Sequence, residues 1–107
     1  MGYYTRHTLS ILNPPPDGRN LIAEFVEENE SAAYALDQNG NSMEPCKWYD
    51  HQDDLIAFSK KFPAIIFCLE GEGEEQPDLW KEYYKGGKMQ RCEAVITYPE
   101  YDPKELQ

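Results

Sequence analysis

With 107 residues, the chain is long enough for one hydrophobic core and too short for two. Ten Lys and Arg against twenty Asp and Glu give a formal charge of −10. With no cluster of cations to release counterions from a phosphate backbone, direct binding to DNA, RNA or an anionic membrane is set aside as a main role.

In chain order, Tyr4 to Leu12 is predicted as a strand, since Tyr4, Thr8 and the LSIL run favour a pleated, half-buried surface. Asn13-Pro14-Pro15-Pro16-Asp17-Gly18 stops it, because prolines remove backbone donors and fix φ. A helix is predicted from Arg19 or Asn20, with Leu21, Ile22, Phe25 and Val26 as its apolar stripe and Glu24, Glu27, Glu28 and Glu30 on its wet face. SAAYAL, from Ser31 to Leu36, reads equally well as more helix or as a short strand, and residues 37–42 form a loop. Cys46 to Tyr49 reads as a short strand. Asp50 then caps a second helix, with Asp53 and Asp54 in its first turn, Leu55, Phe58 and Phe62 at helical spacing and Pro63 closing it. Ala64 to Leu69 has the length and composition of a central strand. Leu79 to Tyr84 and Met89 to Tyr98 flank Lys85-Gly86-Gly87-Lys88 as a hairpin, with Cys92, Ala94 and Ile96 on one face of the last strand.

The order β-α-β-α-β-β-β predicts a single α+β domain over residues 1–107, with 99–107 a polar tail. Its expected architecture is a two-layer, ferredoxin-like sandwich: a mainly antiparallel sheet of four or five strands with two helices on one face. The cysteines Cys46, Cys68 and Cys92 are odd in number and lack a CxxC spacing, which predicts no disulfide framework and a reducing compartment. Cys68 and Cys92 read as small core residues. No signal-peptide pattern opens MGYYTRHTLSIL, and no apolar run reaches the ~18 residues of a membrane span, so the expected location is the cytoplasm.

Metal motifs fail on their spacing. Asp37-x-Asn39-Gly40 places its glycine too early for a calcium loop and has Trp48 where the bidentate Glu belongs. Cys46 and His51 have no paired thiol near them and only His7 as a further histidine, which excludes a structural zinc. Glu72, Glu74 and Glu75 of the GEGEE run offer hard oxygens with nothing to fix coordination geometry. Cys46 and His51, the latter beside Asp50, Asp53 and Asp54, could meet as a nucleophile pair, but nothing forces contact between a residue on a predicted strand and one in the first helical turn. The expectation is a protein without catalytic residues, metal or cofactor.

The carboxylates of LEGEGEEQPDLW offer more. On a strand, Glu70, Glu72 and Glu74 share one face at period two, a ladder of negative charge, with glycines between that permit a close approach. Glu75 and Asp78 extend it, Trp80 and Tyr83 supply aromatic anchors of the kind found at binding hot spots, and Asp50, Asp53 and Asp54 join if both regions lie at one end of the sheet.

The segments KWYDHQDDLIAFSKKFP (Lys47 to Pro63) and LEGEGEEQPDLWKEYYKGGKMQ (Leu69 to Gln90), with MGYYTRHTLSI at the start, resemble a group of small acidic proteins of tailed phages and prophages. The likeness covers most of the chain and departs at the turn, where a second glycine stands (Gly86, Gly87). The group has no established catalytic residues to carry over. The resemblance implies a virus-encoded protein made in a bacterial cytoplasm. Together with the charge, it leads to the expectation of a non-catalytic inhibitor of a host nucleic-acid-handling or defence protein. In that reading the acidic face mimics phosphates and occupies a basic surface of the host protein. The alternatives are a binder sequestering a nucleotide immune signal, which would need Arg6, Arg19, Lys88 or Arg91 to converge, and an accessory phage protein without a defence role.

Overall fold

The computed structural model describes residues 4–42, 44–73, 78–95 and 97–106. They form β1 (Thr5–Ile11), α1 (Leu21–Glu28), α2 (Glu30–Ala35), α3 (His51–Lys61), β2 (Phe67–Gly73), β3 (Leu79–Lys85), β4 (Lys88–Glu93) and a 3-10 turn, Pro103–Glu105. The strands make one antiparallel sheet in the order β1-β2-β3-β4. The class is α+β, with three helices where the sequence predicts two.

Alternation along each strand sorts the side chains into rows across the sheet. Ile11, Phe67, Tyr84 and Met89 form one row; Leu9, Leu69, Glu82 and Arg91 the next; His7, Gly71, Trp80 and Glu93 the third. Ile11, Phe67, Tyr84 and Met89 of the first row, Leu9 and Leu69 of the second and Trp80 of the third pack with Leu21, Phe25 and Val26 of α1, Ala32 and Ala35 of α2, and Leu55 and Phe58 of α3 in one core. Each large apolar side chain buried there contributes roughly 1.5–3 kcal/mol of transfer free energy. On the opposite face, Ser10, Cys68, Tyr83 and Gln90 alternate with Thr8, Glu70, Lys81 and Cys92.

The ambiguous SAAYAL stretch is helical because Asn29 restarts the chain. Asn29 ends α1, donating its N–H to the Phe25 carbonyl, and its side chain accepts from Ala32 N at 3.0 Å. Asn20 caps α1 in the same way, from Ala23 N.

The predicted strand at Cys46–Tyr49 is corrected to a loop with a single bridge, Cys46 to Thr5. Pro45 has no donor to give a ladder. Trp48 turns away from the edge into the core, where its Nε1 donates to Asp54 at 2.8 Å. Residues 40–42 and Cys46 nevertheless run beside β1: Gly40 O accepts from Leu9 N, Ser42 N donates to His7 O, and Thr5 and Cys46 exchange both backbone bonds. This covers the β1 edge.

Strand β2 begins three residues later than Ala64, because the Asn13 side chain takes up Ala64 O and Ile66 N at 2.8 and 2.7 Å. Its other end runs into the GEG stretch. β4 stops at Glu93 rather than continuing to Tyr98; Ala94 N still donates to Leu79 O, and the described residues beyond it are exposed. Among the predicted positions, Glu74, Glu75 and Ile96 lie outside the described residues.

Candidate functional site

Trp80 organises one end of the sheet. Its ring lies against Gly71 on β2, where an added Cβ would fall inside the indole. The close approach that the glycine permits is therefore by a side chain. His51, the first residue of α3, stacks on Trp80 with centroids 5.1 Å apart and planes at 17°. The Arg91 guanidinium stands 4.5 Å from the centroid of the same ring. This packing brings the first turn of α3 to the end of the sheet where β2 hands over to β3.

Beside Trp80 on the same strand face is Glu82, with no solvent exposure. Its Oε1 accepts from Tyr84 OH at 2.6 Å, and its Oε2 accepts from Gln52 Nε2 at 2.7 Å and Arg91 at 2.8 Å. His51 Nδ1 lies 2.8 Å from Oε1 without forming a hydrogen bond. Burial pushes this carboxyl's pKa up, but the contacts from His51, Tyr84 and Gln52 outweigh that and hold it down at about 2. Burial and the Glu82 charge push the Tyr84 hydroxyl above its ordinary range.

His7 completes the cluster, with ring centroids 5.4 Å from Trp48, 6.0 Å from His51 and 6.1 Å from Trp80. Burial, and then the nearby His51, lower its pKa to about 4, against a smaller pull from Glu82. Cys46 Sγ lies 3.9 Å from His7 Nδ1, so the cysteine meets His7 rather than His51. Burial raises the thiol's pKa. A protonated thiol beside a neutral imidazole is not an activated nucleophile. Among the described residues, no group of three His, Cys, Asp or Glu side chains is placed to hold a metal ion.

A cleft of about 230 Å³ opens over this cluster, walled by Trp48, Tyr49, His51, Asp78, Trp80 and Arg91. Asp50 and Asp53 are exposed on the α3 turn beside it, whereas Asp54 is engaged by Trp48. The described residues of the two predicted acidic regions thus share one end of the sheet, although not one face. Glu70 and Glu72 project from the face opposite the helices, where Lys81 bridges Glu70 at 3.2 Å and Arg6 lies opposite Glu72. Trp80, expected as a surface anchor, is buried because Gly71 makes room for its ring. Tyr83 is half-buried on the outer face, and the exposed aromatic at the cleft is Tyr49.

Glu82, Tyr84, Gln52 and His7 do not stand out in the sequence as site residues, and Arg91 does so only as a cation of the nucleotide reading. The signal was present in WKEYY: strand alternation puts Glu82 on the same face as Trp80 and Tyr84, a carboxylate in an aromatic row. The cations of the nucleotide reading occupy separate places. Arg19 pairs with Glu24 on α1, Lys88 lies at the β3–β4 turn, Arg6 faces outward, and Arg91 is held by Glu82 and Glu93. No helix of the described residues is long and apolar enough to cross a membrane. Compared with family models, curated proteins and solved structures, the chain matches none.

Proposed function

We propose that this chain is a non-catalytic binding protein that engages a partner protein with a basic surface through the acidic end of its sheet. The observation that carries this is the stacking of His51 on Trp80. It sets the exposed Asp50 and Asp53 beside a cleft that Asp78 and the exposed Tyr49 also line. Carboxylates around an aromatic-walled cleft suit a lysine or arginine side chain, and the −10 charge steers a basic partner toward it. Within this proposal the partner is a bacterial host protein of nucleic-acid handling or defence, and the chain its phage-encoded cytoplasmic inhibitor. Phosphate mimicry is the less supported part, because Lys81 and Arg6 interrupt the run of Glu70 and Glu72. In architecture the proposed kinship is with ferredoxin-like sandwiches, through helices layered over an antiparallel sheet whose strands here follow a meander.

The test is to immobilise the protein, pass bacterial lysate over it, and elute with salt from about 0.1 M to about 1 M, across which the Debye length falls from about 10 Å to about 3 Å. The expected result is a basic protein retained at low salt, released by salt, and lost with the triple variant Asp50→Asn, Asp53→Asn, Asp78→Asn. Undiminished retention by that variant would place the interaction elsewhere and sink the proposal.

A further inference from the structure

The outer face of the sheet holds a second concavity, of about 520 Å³, that crosses all four strands. Leu79 and Cys92 give it an apolar floor, and Arg6, Lys81, Glu70, Glu72 and Glu93 stand around it. The core helices pack on the other face, so nothing among the described residues of the same chain fills it. The C-terminal segment has the opposite deficiency. After Ala94, the side chains of Val95, Tyr98, Tyr101 and Leu106 are 66–86% exposed, four of the nine exposed large hydrophobics among the described residues. A radius of gyration of 16.7 Å, against roughly 13 Å for a compact chain of this length, fits a segment that stands off the body.

We propose that two copies of this chain associate by exchanging C-terminal segments, residues 95–106 of each lying across the outer-face groove of the other. Reach permits it. The six residues 97–102 ahead of the 3-10 turn alone span up to about 20 Å when extended, and four strands at about 4.8 Å spacing take up roughly 14 Å. Order permits it too, since Pro99 and Pro103 restrict the segment and the Asp102 side chain accepts from Lys104 N at 2.9 Å, so less freedom is lost on docking. The segment leaves the sheet at Ala94, on the rim of its own groove. Filling that groove in cis demands a reversal at the exit, whereas a second copy can be met without one. The contact is apolar in this proposal, since Lys81 is already paired with Glu70 and Arg6 lies opposite Glu72, while the two bodies repel through −10 each.

That repulsion separates this association from the binding of a basic partner: salt strengthens the first and weakens the second. Sedimentation equilibrium of the full chain at 0.1 and 1 M NaCl is expected to show a monomer–dimer equilibrium with a lower dissociation constant at high salt. A tail variant, Tyr98→Ser with Tyr101→Ser, and a groove variant, Leu79→Asp, are each expected to weaken the dimer at least tenfold. The exposed Tyr34→Ser on α2 leaves it unchanged. Mixing the two weakened variants restores one intact tail–groove contact and so yields a heterodimer tighter than either homodimer, which a mere folding defect would not produce. A wild-type chain that stays monomeric at millimolar concentration overturns the proposal. A dimer indifferent to both variants overturns it equally.

Discussion

A carboxylate with no solvent access, as Glu82 is, costs several kcal/mol of lost hydration unless donors meet its oxygens. Tyr84, Gln52 and Arg91 meet them, and Arg91 is tied in turn to Glu93. Replacing Glu82 by Gln removes the charge that Arg91 and His51 face and turns an acceptor into a donor pointed at other donors. The expected loss is about 3 kcal/mol, seen as a lower urea midpoint at unchanged m-value. Gly71→Ala tests the same locus from the other strand, because the methyl group must displace the indole of Trp80. The expected readout is destabilisation with red-shifted tryptophan emission as Trp80 leaves its seat. Neither residue stood out in the sequence for the right reason. Gly71 was legible as a place of close approach, but what approaches is fixed by the pairing Gly71–Trp80 across β2 and β3, and one sequence does not give that register.

At the scale of elements, local chemistry was readable and pairing was not. Pro63 follows the end of α3 as a breaker should. α1 starts at Leu21, one residue past the predicted start, because Asn20 is its cap; and Asp50 stands before α3 as expected, yet it makes no side-chain capping bond. The Asn29 break was missed because a polar residue between two helical stretches looks like either a surface position or a cap. It acts as a cap, so Asn29→Ala is expected to cost about 1 kcal/mol by urea titration. Lys61→Ala is the contrast. Its bond to Glu28 at 2.9 Å joins α3 to α1 between two half-exposed side chains, and its loss should move stability by less than about 1 kcal/mol. The stretches CKWY and AIIFCL were misplaced for a different reason. Trp48 and Asn13 spend their side chains on tertiary bonds, to Asp54 and to the backbone at 64 and 66, and those bonds decide where laddering starts. Tertiary demand overrode β propensity at both sites.

For the whole molecule, acid acts in two opposing ways. Lowering the pH toward the isoelectric point, about 4.5, removes negative charge and relieves self-repulsion, which favours the compact state. His7 works against this. Its folded pKa of about 4 lies below the ordinary imidazole value of 6.5, because the ring is buried among Trp48, Trp80 and His51. The unfolded chain therefore binds more protons between those values, and stability is lost as pH falls through that window. Across the whole window the loss is at most roughly 3 kcal/mol. Glu82 adds a second loss lower down, since its folded pKa of about 2 lies below 4.5 and its contribution disappears as pH falls between them. Salt separates the opposing effects, because about 0.5 M NaCl screens surface repulsion far more than it reaches a buried ring. Urea midpoints at that salt should therefore fall from pH 7 to pH 5 in the wild type. They should stay nearly level in His7→Phe, which keeps an aromatic ring between the tryptophans and has no proton to take up. A wild-type midpoint that rises toward pH 5 under those conditions would mean that surface repulsion, and not the buried imidazole, governs the acid limb.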